Sequence, residues 1–287
     1  VIAEELYAKD SNYHDTLGFY KECYAGIALE EDYREKGTSG GMGTWVATQM
    51  LKQGLVDGVI HVKQSSREHL TDPFYRYGIS MSESDVRSAS KTRYHVVEIS
   101  EVLSLISDIQ GKFLFIGVPC MCKAVRRLQK SDLAIKEKIP YMISLVCGHL
   151  KSVNWSLSLA WGAGIEPQNA SAIQYRTKGE GIPARAYVYK VSSNDGGVIQ
   201  KDSAGVAGGK YNAGALMLPA CEFCDDVIGE TSDLTIGDAW LPKYEADESG
   251  TNLLVVRNAE IHALLQEGIV KSKVRLETIS PDEAVAS

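Results

Sequence analysis

Lys112-Phe-Leu-Phe-Ile-Gly-Val-Pro-Cys120 and Tyr141-Met-Ile-Ser-Leu-Val-Cys-Gly-His149 are two short apolar runs, each leading into a cysteine. Runs this brief, with little polar alternation, read as strands buried on both faces. Between them Pro119 opens a helix that turns Val125 and Leu128 inward and holds Lys123, Arg126 and Arg127 elsewhere; proline suits a first helical turn. Strand, helix, strand in this order makes adjacent parallel strands joined by a right-handed crossover. The carboxyl ends of such strands share one sheet edge, which is where ligands bind. Cys120 and Cys147 each follow such an end, so the topology carries their sulfurs toward one another.

Upstream, residues 98–109 have the spacing of an amphipathic helix, through Val102, Leu103, Leu105, Ile106 and Ile109. Residues 56–62 read as a strand and 44–52 as a helix. A glycine loop, Gly37-Thr-Ser-Gly-Gly-Met-Gly43, stands immediately before that helix. The first thirty residues read as an irregular lead-in, so no strand is expected just ahead of the glycines. Downstream, 153–161 is helical. From about residue 170 the stretches 172–176, 186–191 and 198–201 alternate with Gly, Pro and Asn turns and predict an antiparallel sheet. Residues 234–237 and 253–257 add strands, and 260–267 a final helix. The expected class is α+β, with two closely packed lobes. An N-terminal lobe, 1–168, is built on a βαβ unit with mainly parallel strands. A C-terminal lobe, 169–287, is rich in antiparallel strands. An ordinary Rossmann fold is not expected.

The chain has 287 residues, 44% hydrophobic and 23% charged, a globular composition. Thirty Lys and Arg against 37 Asp and Glu give a net charge of −7, which offers no general attraction for nucleic acid or anionic membranes. The longest apolar runs, 113–116 and 142–147, are far too short to span a bilayer. No signal-peptide pattern opens the chain, so a cytoplasmic location is expected. Six cysteines, at 23, 120, 122, 147, 221 and 224, are too sparse for a disulfide scaffold. Cys221-Glu-Phe-Cys224 is a two-thiol clamp on a loop opened by Pro219. Together with Cys120 and Cys147 it offers four thiolates from three segments, a donor set for a [4Fe–4S] cluster or for tetrahedral zinc. The plainer alternative is buried free thiols beside a redox or inert CxxC. Cys122 competes with Cys120 or stands by it, and Cys23 reads as a buried small hydrophobe.

The glycine loop can approach a phosphate closely, and the helix it opens presents unsatisfied N–H groups and a positive dipole end. Within it Gly37, Gly40 and Gly41 allow the approach, Thr38, Ser39 and Thr44 carry hydroxyl donors, and Lys36 supplies charge. A second group of donors, Ser90, Lys91, Thr92 and Arg93, lies in Ser88-Ala-Ser-Lys-Thr-Arg-Tyr94. Each segment read alone is equally a solvated loop or helix end. Lys123, His149 and Asp238 are lesser candidates.

Taken in order, Gly18-Phe-Tyr-Lys-Glu, Lys36-Gly-Thr-Ser-Gly-Gly, Gly54-Leu-Val-Asp-Gly-Val-Ile, Ser88–Tyr94, Ile116-Gly-Val-Pro-Cys120, Cys147-Gly148, Cys221-Glu-Phe-Cys-Asp225 and Ser232-Asp-Leu-Thr-Ile-Gly-Asp238 form a collinear series over residues 18 to 260. The series resembles the beta-subunit family of coenzyme F420 hydrogenases and dehydrogenases. That resemblance implies an oxidoreductase, a flavoprotein with FAD and an iron–sulfur [4Fe–4S] cluster. Such a protein passes electrons between a deazaflavin coenzyme or ferredoxin-like carrier, the flavin, the cluster and a partner subunit or substrate. It implies Cys120, Cys147, Cys221 and Cys224 as metal-binding residues. It implies an FAD site in the N-terminal lobe, formed by Lys36, Gly37, Thr38, Ser39, Gly40, Gly41, Thr44, Ser90, Lys91 and Arg93. A redox partner subunit or a homo-oligomer is expected. The sequence departs from the pattern at Met121, where relatives often have Gln. The other reading of the same fold is a zinc-stabilised or cofactor-free binding protein.

Overall fold

The computed structural model describes residues 2–178 and 186–287. Thirteen strands are present among them: β1 (Asn12–His14), β2 (Gly18–Tyr20), β3 (Glu22–Ala28), β4 (Gly58–Gln64), β5 (Tyr75–Ser80), β6 (Phe113–Gly117), β7 (Tyr141–Leu145), β8 (Ala170–Gln174), β9 (Val188–Ser193), β10 (Val198–Asp202), β11 (Leu234–Asp238), β12 (Asn252–Val256) and β13 (Val274–Thr278). Eight of them form one sheet in the order β13-β3-β12-β11-β7-β6-β4-β5, and β10-β9-β8 form a separate antiparallel sheet. The predicted βαβ unit is present: β6 and β7 pair in parallel, with Leu114 opposite Tyr141 and Gly117 opposite Ser144. The parallel run extends to β4 on one side and β11 on the other.

Along β6 and β7 side chains alternate between two apolar layers. Leu114 and Ile143 meet Trp45, Val46 and Met50 of the helix Met42–Lys52 and Leu264 of the helix Ala259–Val270. Phe113, Phe115 and Met142 face the other way, onto Val102 and Ile106 of the helix Ser100–Asp108 and onto Cys122 and Val125 of the helix Pro119–Ser131. Helices thus cover both faces, which is why these strands are apolar throughout. The small sheet has its own layer, where Trp155 of the helix Val153–Gly162 stacks on Tyr175 at 5.5 Å. Phe74 and Tyr75, at the head of β5, enter that layer and tie the two sheets together.

Two expectations change. The first thirty residues are not an irregular lead-in. Residues 23–28 of β3 are all buried between β12 and β13, so the strand shows no alternation by which to be recognised. The division at 168/169 does not separate the sheets either. β11, β12 and β13 return to the large sheet, because β11 extends the parallel run beside β7 and β12 and β13 enclose β3. Of the strands after residue 168 only β8, β9 and β10 stand apart, while β1 and β2 pair with each other as a small hairpin near the start. Strand direction now fixes the site: β3, β6, β7 and β11 all point the same way, so the glycine loop, Cys120, Cys147 and Asp238 all follow carboxyl ends at one edge.

Candidate functional site

The four cysteines matched by the motif series come from three segments and lie together at this edge. Cys120 opens the helix Pro119–Ser131 at the surface, and Cys147 follows β7. The CxxC forms a single 3-10 turn, Pro119's counterpart being Pro219 at its start. Two backbone contacts lock these segments: the Cys147 N–H donates to the Val227 carbonyl at 3.1 Å, and the Leu150 N–H donates to Cys221 Sγ at 3.3 Å. Burial pushes the Cys147 thiol up to about 12, and the thiols of Cys120, Cys221 and Cys224 push it the same way. Partial burial and then the Cys224 thiol raise Cys120. No three His, Cys, Asp or Glu side chains among the described residues are close enough to share a single metal ion. Cys122 is wholly buried in the helix–sheet layer, its thiol toward the Ile143 carbonyl at 3.8 Å, and Cys23 is buried in β3.

Beside the thiols a cavity of about 790 Å³ opens along the same edge, within the about 300–1,000 Å³ usual for ligand sites. Both predicted donor segments form its walls: Gly37, Thr38, Ser39, Gly41 and Thr44 from one, Ser90, Lys91 and Arg93 from the other. They are joined by a 2.8 Å hydrogen bond between Thr38 and Thr92 and by Lys91 Nζ donating to the Gly37 carbonyl at 3.4 Å. Gly41 precedes the helix Met42–Lys52 with φ of 81°, a left-handed conformation natural to glycine, and has no side chain to cap it. Asn252 of β12 does so from across the chain, its Oδ1 accepting from the Met42 N–H at 3.0 Å.

Two predicted residues are elsewhere. Lys36 is more than half exposed and pairs with Asp32 at 2.6 Å, one helical turn back, so its charge is directed at its own helix. Gly40 is outside the cavity. A Cβ there would stand 2.7 Å from the Gly26 carbonyl and 2.9 Å from Asn252, so this glycine exists to let the loop pack onto β3 and β12.

Three cavity residues have buried nitrogens without a protein hydrogen bond: Arg93 (Nε and Nη1), His95 (Nε2) and His149 (Nε2). Arg93 lies over the Tyr75 ring at 5.0 Å. His95 reaches Ser156 at 3.0 Å through its other nitrogen, and Ser156 reaches the Tyr175 hydroxyl at 2.7 Å. His149, beside Cys147, stacks on Tyr211 at 4.3 Å. A buried donor left unpaired costs about 1–3 kcal/mol, so these atoms mark a wall built for a polar partner. Burial, then Arg93 and Arg176, lowers the Lys91 ammonium. Arg176 is held by Asp238 at 2.6 Å, which brings another candidate, the end of β11, to the cavity. Lys123 is not part of the cavity wall and pairs instead with Asp225 at 3.5 Å and Asp226 at 3.6 Å. His61, His95 and Arg176 were not expected from sequence. The one signal for His95 was its place two residues after Arg93 on extended chain, which puts both side chains on one side.

A large mixed sheet thus carries the cysteine segments and a donor-lined cavity along one carboxyl edge. Profiles of the coenzyme F420 hydrogenase/dehydrogenase beta subunit match residues 23–104 (N-terminal part) and 110–282 (C-terminal part). The chain belongs to this family. It is 22% identical over 255 residues to the uncharacterized protein MJ1349 of Methanocaldococcus jannaschii, covering 86% of this chain and 62% of that relative. The chain therefore spans about three fifths of the length of the curated relative it matches. Among solved structures it is similar in fold to a chain of the F420-reducing [NiFe] hydrogenase complex from Methanosarcina barkeri. The TM-score is 0.69 at 17% identity, covering 93% of this chain and 84% of that one. No helix among the described residues is long and apolar enough to cross a membrane.

Proposed function

We propose that this chain is an FAD- and [4Fe–4S]-dependent electron-transfer oxidoreductase. It would work in the cytoplasm, where thiols stay reduced. One observation supports this above others: two donor segments fifty residues apart close one cavity around a buried guanidinium with unpaired N–H groups, next to four gathered thiols. Arg93, Thr38, Thr44 and the open N–H groups at the start of the helix Met42–Lys52 would hold an anionic dinucleotide. Cys120, Cys147, Cys221 and Cys224 would hold the cluster; a cubane presents a separate iron to each thiolate, so it needs a wider thiol spacing than one tetrahedral ion does. When bound, flavin supplies exchange between paired and single electrons, and the cluster supplies single-electron storage. The chain's part is to place both groups, exclude water and set potentials. The Leu150 N–H on Cys221 would stabilise negative charge on sulfur and so favour a reduced centre. A deazaflavin coenzyme such as F420, or a ferredoxin-like carrier, is the proposed exchanger at the cavity, with a partner subunit or a second copy on the electron's way out.

Anaerobic purification, reconstitution with iron, sulfide and FAD, and visible spectroscopy with metal analysis test this. Flavin bands over a broad shoulder that bleaches on reduction are expected. Colourless protein with one zinc per chain would favour the structural-metal reading, and metal-free protein the binding-protein reading. In Cys221→Ser and Cys224→Ser variants the shoulder should vanish while flavin remains; unchanged iron would overturn the ligand assignment.

A further inference from the structure

Three side chains form a buried hydrogen-bond relay that ends in the cavity wall. His95 is part of that wall, whereas Ser156 and Tyr175 stand behind it. The Tyr175 hydroxyl and Ser156 Oγ are 2.7 Å apart, and Ser156 Oγ and His95 Nδ1 are 3.0 Å apart. Ser156 and Tyr175 are wholly buried, and His95 is 3% exposed. Among the described residues Ser156 is the only partner of the Tyr175 hydroxyl, and His95 Nε2 has none.

A neutral imidazole carries one hydrogen, so both relay bonds can be kept in three ways. In the first, Tyr175 donates to Ser156 and Ser156 donates to His95 Nδ1. The imidazole hydrogen is then on Nε2, and that N–H is the one group left unpaired. In the second the relay runs backwards, and the Tyr175 hydrogen and the Nε2 lone pair are both stranded. In the third, Tyr175 and the Nδ1–H both donate to Ser156, which strands the serine hydrogen and Nε2. Each stranded buried group is costly, so the first arrangement is favoured, and the bond at Nδ1 decides what Nε2 offers. Burial, and then the Arg67 charge, hold the ring down at about 4, so it offers one hydrogen and no charge.

The wall around this N–H is aromatic. The His95 ring stands edge-on to Phe74 at 6.0 Å and to Tyr75 at 5.6 Å. Next to it Tyr94 packs on Tyr211 at 4.5 Å and on Tyr187 at 5.8 Å, and all three line the cavity. Rings with a single polar group among them suit a planar heterocycle. One neutral N–H is too little for a phosphate, which the glycine loop and the start of the helix Met42–Lys52 serve better. It matches a ring carbonyl.

We infer that Tyr175 and Ser156 hold His95 as an Nε2–H donor to a pyrimidinedione carbonyl oxygen of the flavin ring. The choice of flavin rests on the function proposed above; the direction of the relay does not. His95 is the binding group, and Ser156 and Tyr175 are positioning residues that act through it.

Nitrogen NMR of ring-labelled histidine reads the tautomer directly, in the full chain before and after loading with FAD and without iron. Among the six histidines, the His95 signal is the one missing from His95→Gln. The unaltered chain should show an Nε2–H ring before loading and a moved Nε2 resonance afterwards. Tyr175→Phe removes one hydroxyl, frees the direction of the relay and should raise an Nδ1–H population. In fluorescence titrations FAD affinity should fall roughly tenfold in His95→Phe and about threefold in Tyr175→Phe. His95→Gln keeps an N–H at similar reach and should stay within about threefold of the parent. An Nδ1–H ring in the unaltered chain overturns the relay, whatever becomes of the variants. FAD bound with the His95 signal unmoved, or bound equally well by His95→Phe, overturns the inference and leaves the flavin reading standing. A chain that takes up no FAD at all overturns the flavin reading, and the ligand assigned to His95 falls with it.

Discussion

Two arginines are held inside this molecule in opposite ways. Arg126 donates to Asp233 at 2.7 Å, the Thr231 carbonyl at 3.0 Å, Gln129 at 3.2 Å and the Tyr7 hydroxyl at 3.2 Å, so each of its nitrogens has a partner. Arg93 is buried against an aromatic ring, with two nitrogens that bond to nothing in the chain. The first knits the helix Pro119–Ser131 to the loop before β11 and is complete. The second is a desolvated charge whose compensation must come from outside. Buried polar groups are normally satisfied, so the contrast separates what stabilises the fold from what the fold reserves for a ligand.

The sharpest way to break this contrast is Asp233→Ala. It strands Arg126 and removes the acceptor of the Met142 N–H, and should cost about 3–5 kcal/mol in urea unfolding; a loss under about 1 kcal/mol would erase the distinction. Arg93→Met should instead leave the cofactor-free protein within about 1 kcal/mol of its stability, while lowering flavin affinity roughly ten- to hundredfold, the worth of a charged hydrogen bond. A large stability loss would make Arg93 structural.

Acid adds a third probe. Burial, with Lys63 near His61 and Arg67 near His95, holds both imidazoles down at about 4, from 6.5. Between those values the unfolded chain binds protons that the folded chain refuses, so stability falls as pH drops from 6.5 toward 4. His95→Gln should reduce that slope by about one proton in urea titrations across the window; an unchanged slope would mean His95 ionises freely. The smallest effect is expected at the exposed pair of Lys271 and Glu267, where solvent screening should leave the urea-unfolding midpoint of Glu267→Gln indistinguishable from that of the parent chain.

The part of the fold legible in sequence was the part with local cause. The β6–helix–β7 unit is specified by consecutive apolar runs and a proline, and it carried Cys120 and Cys147 to one edge without knowledge of the rest. β3 was unreadable because it is apolar on both faces and composed of small residues, and its neighbours β12 and β13 lie at the other end of the chain. For the same reason the lobe boundary failed. Residue type announced Thr38, Ser90 and Arg93 as donors, but Gly40 and Lys36 fit the same description, and only packing shows that one glycine seats the loop and one lysine serves Asp32. Unpaired atoms such as His95 Nε2 have no sequence signature at all, since satisfaction is a property of surroundings.

The enclosure of β3 sets an order of events in the cell. Glu22 pairs with Val256 and Gly26 with Asn252, so β3 must wait for a partner made far later in the sequence. Closing so long a loop is slow and leaves apolar edges open meanwhile. The cap on the Met42 N–H is Asn252 itself, so the glycine loop acquires its final shape only once β12 has been made and has paired with β3.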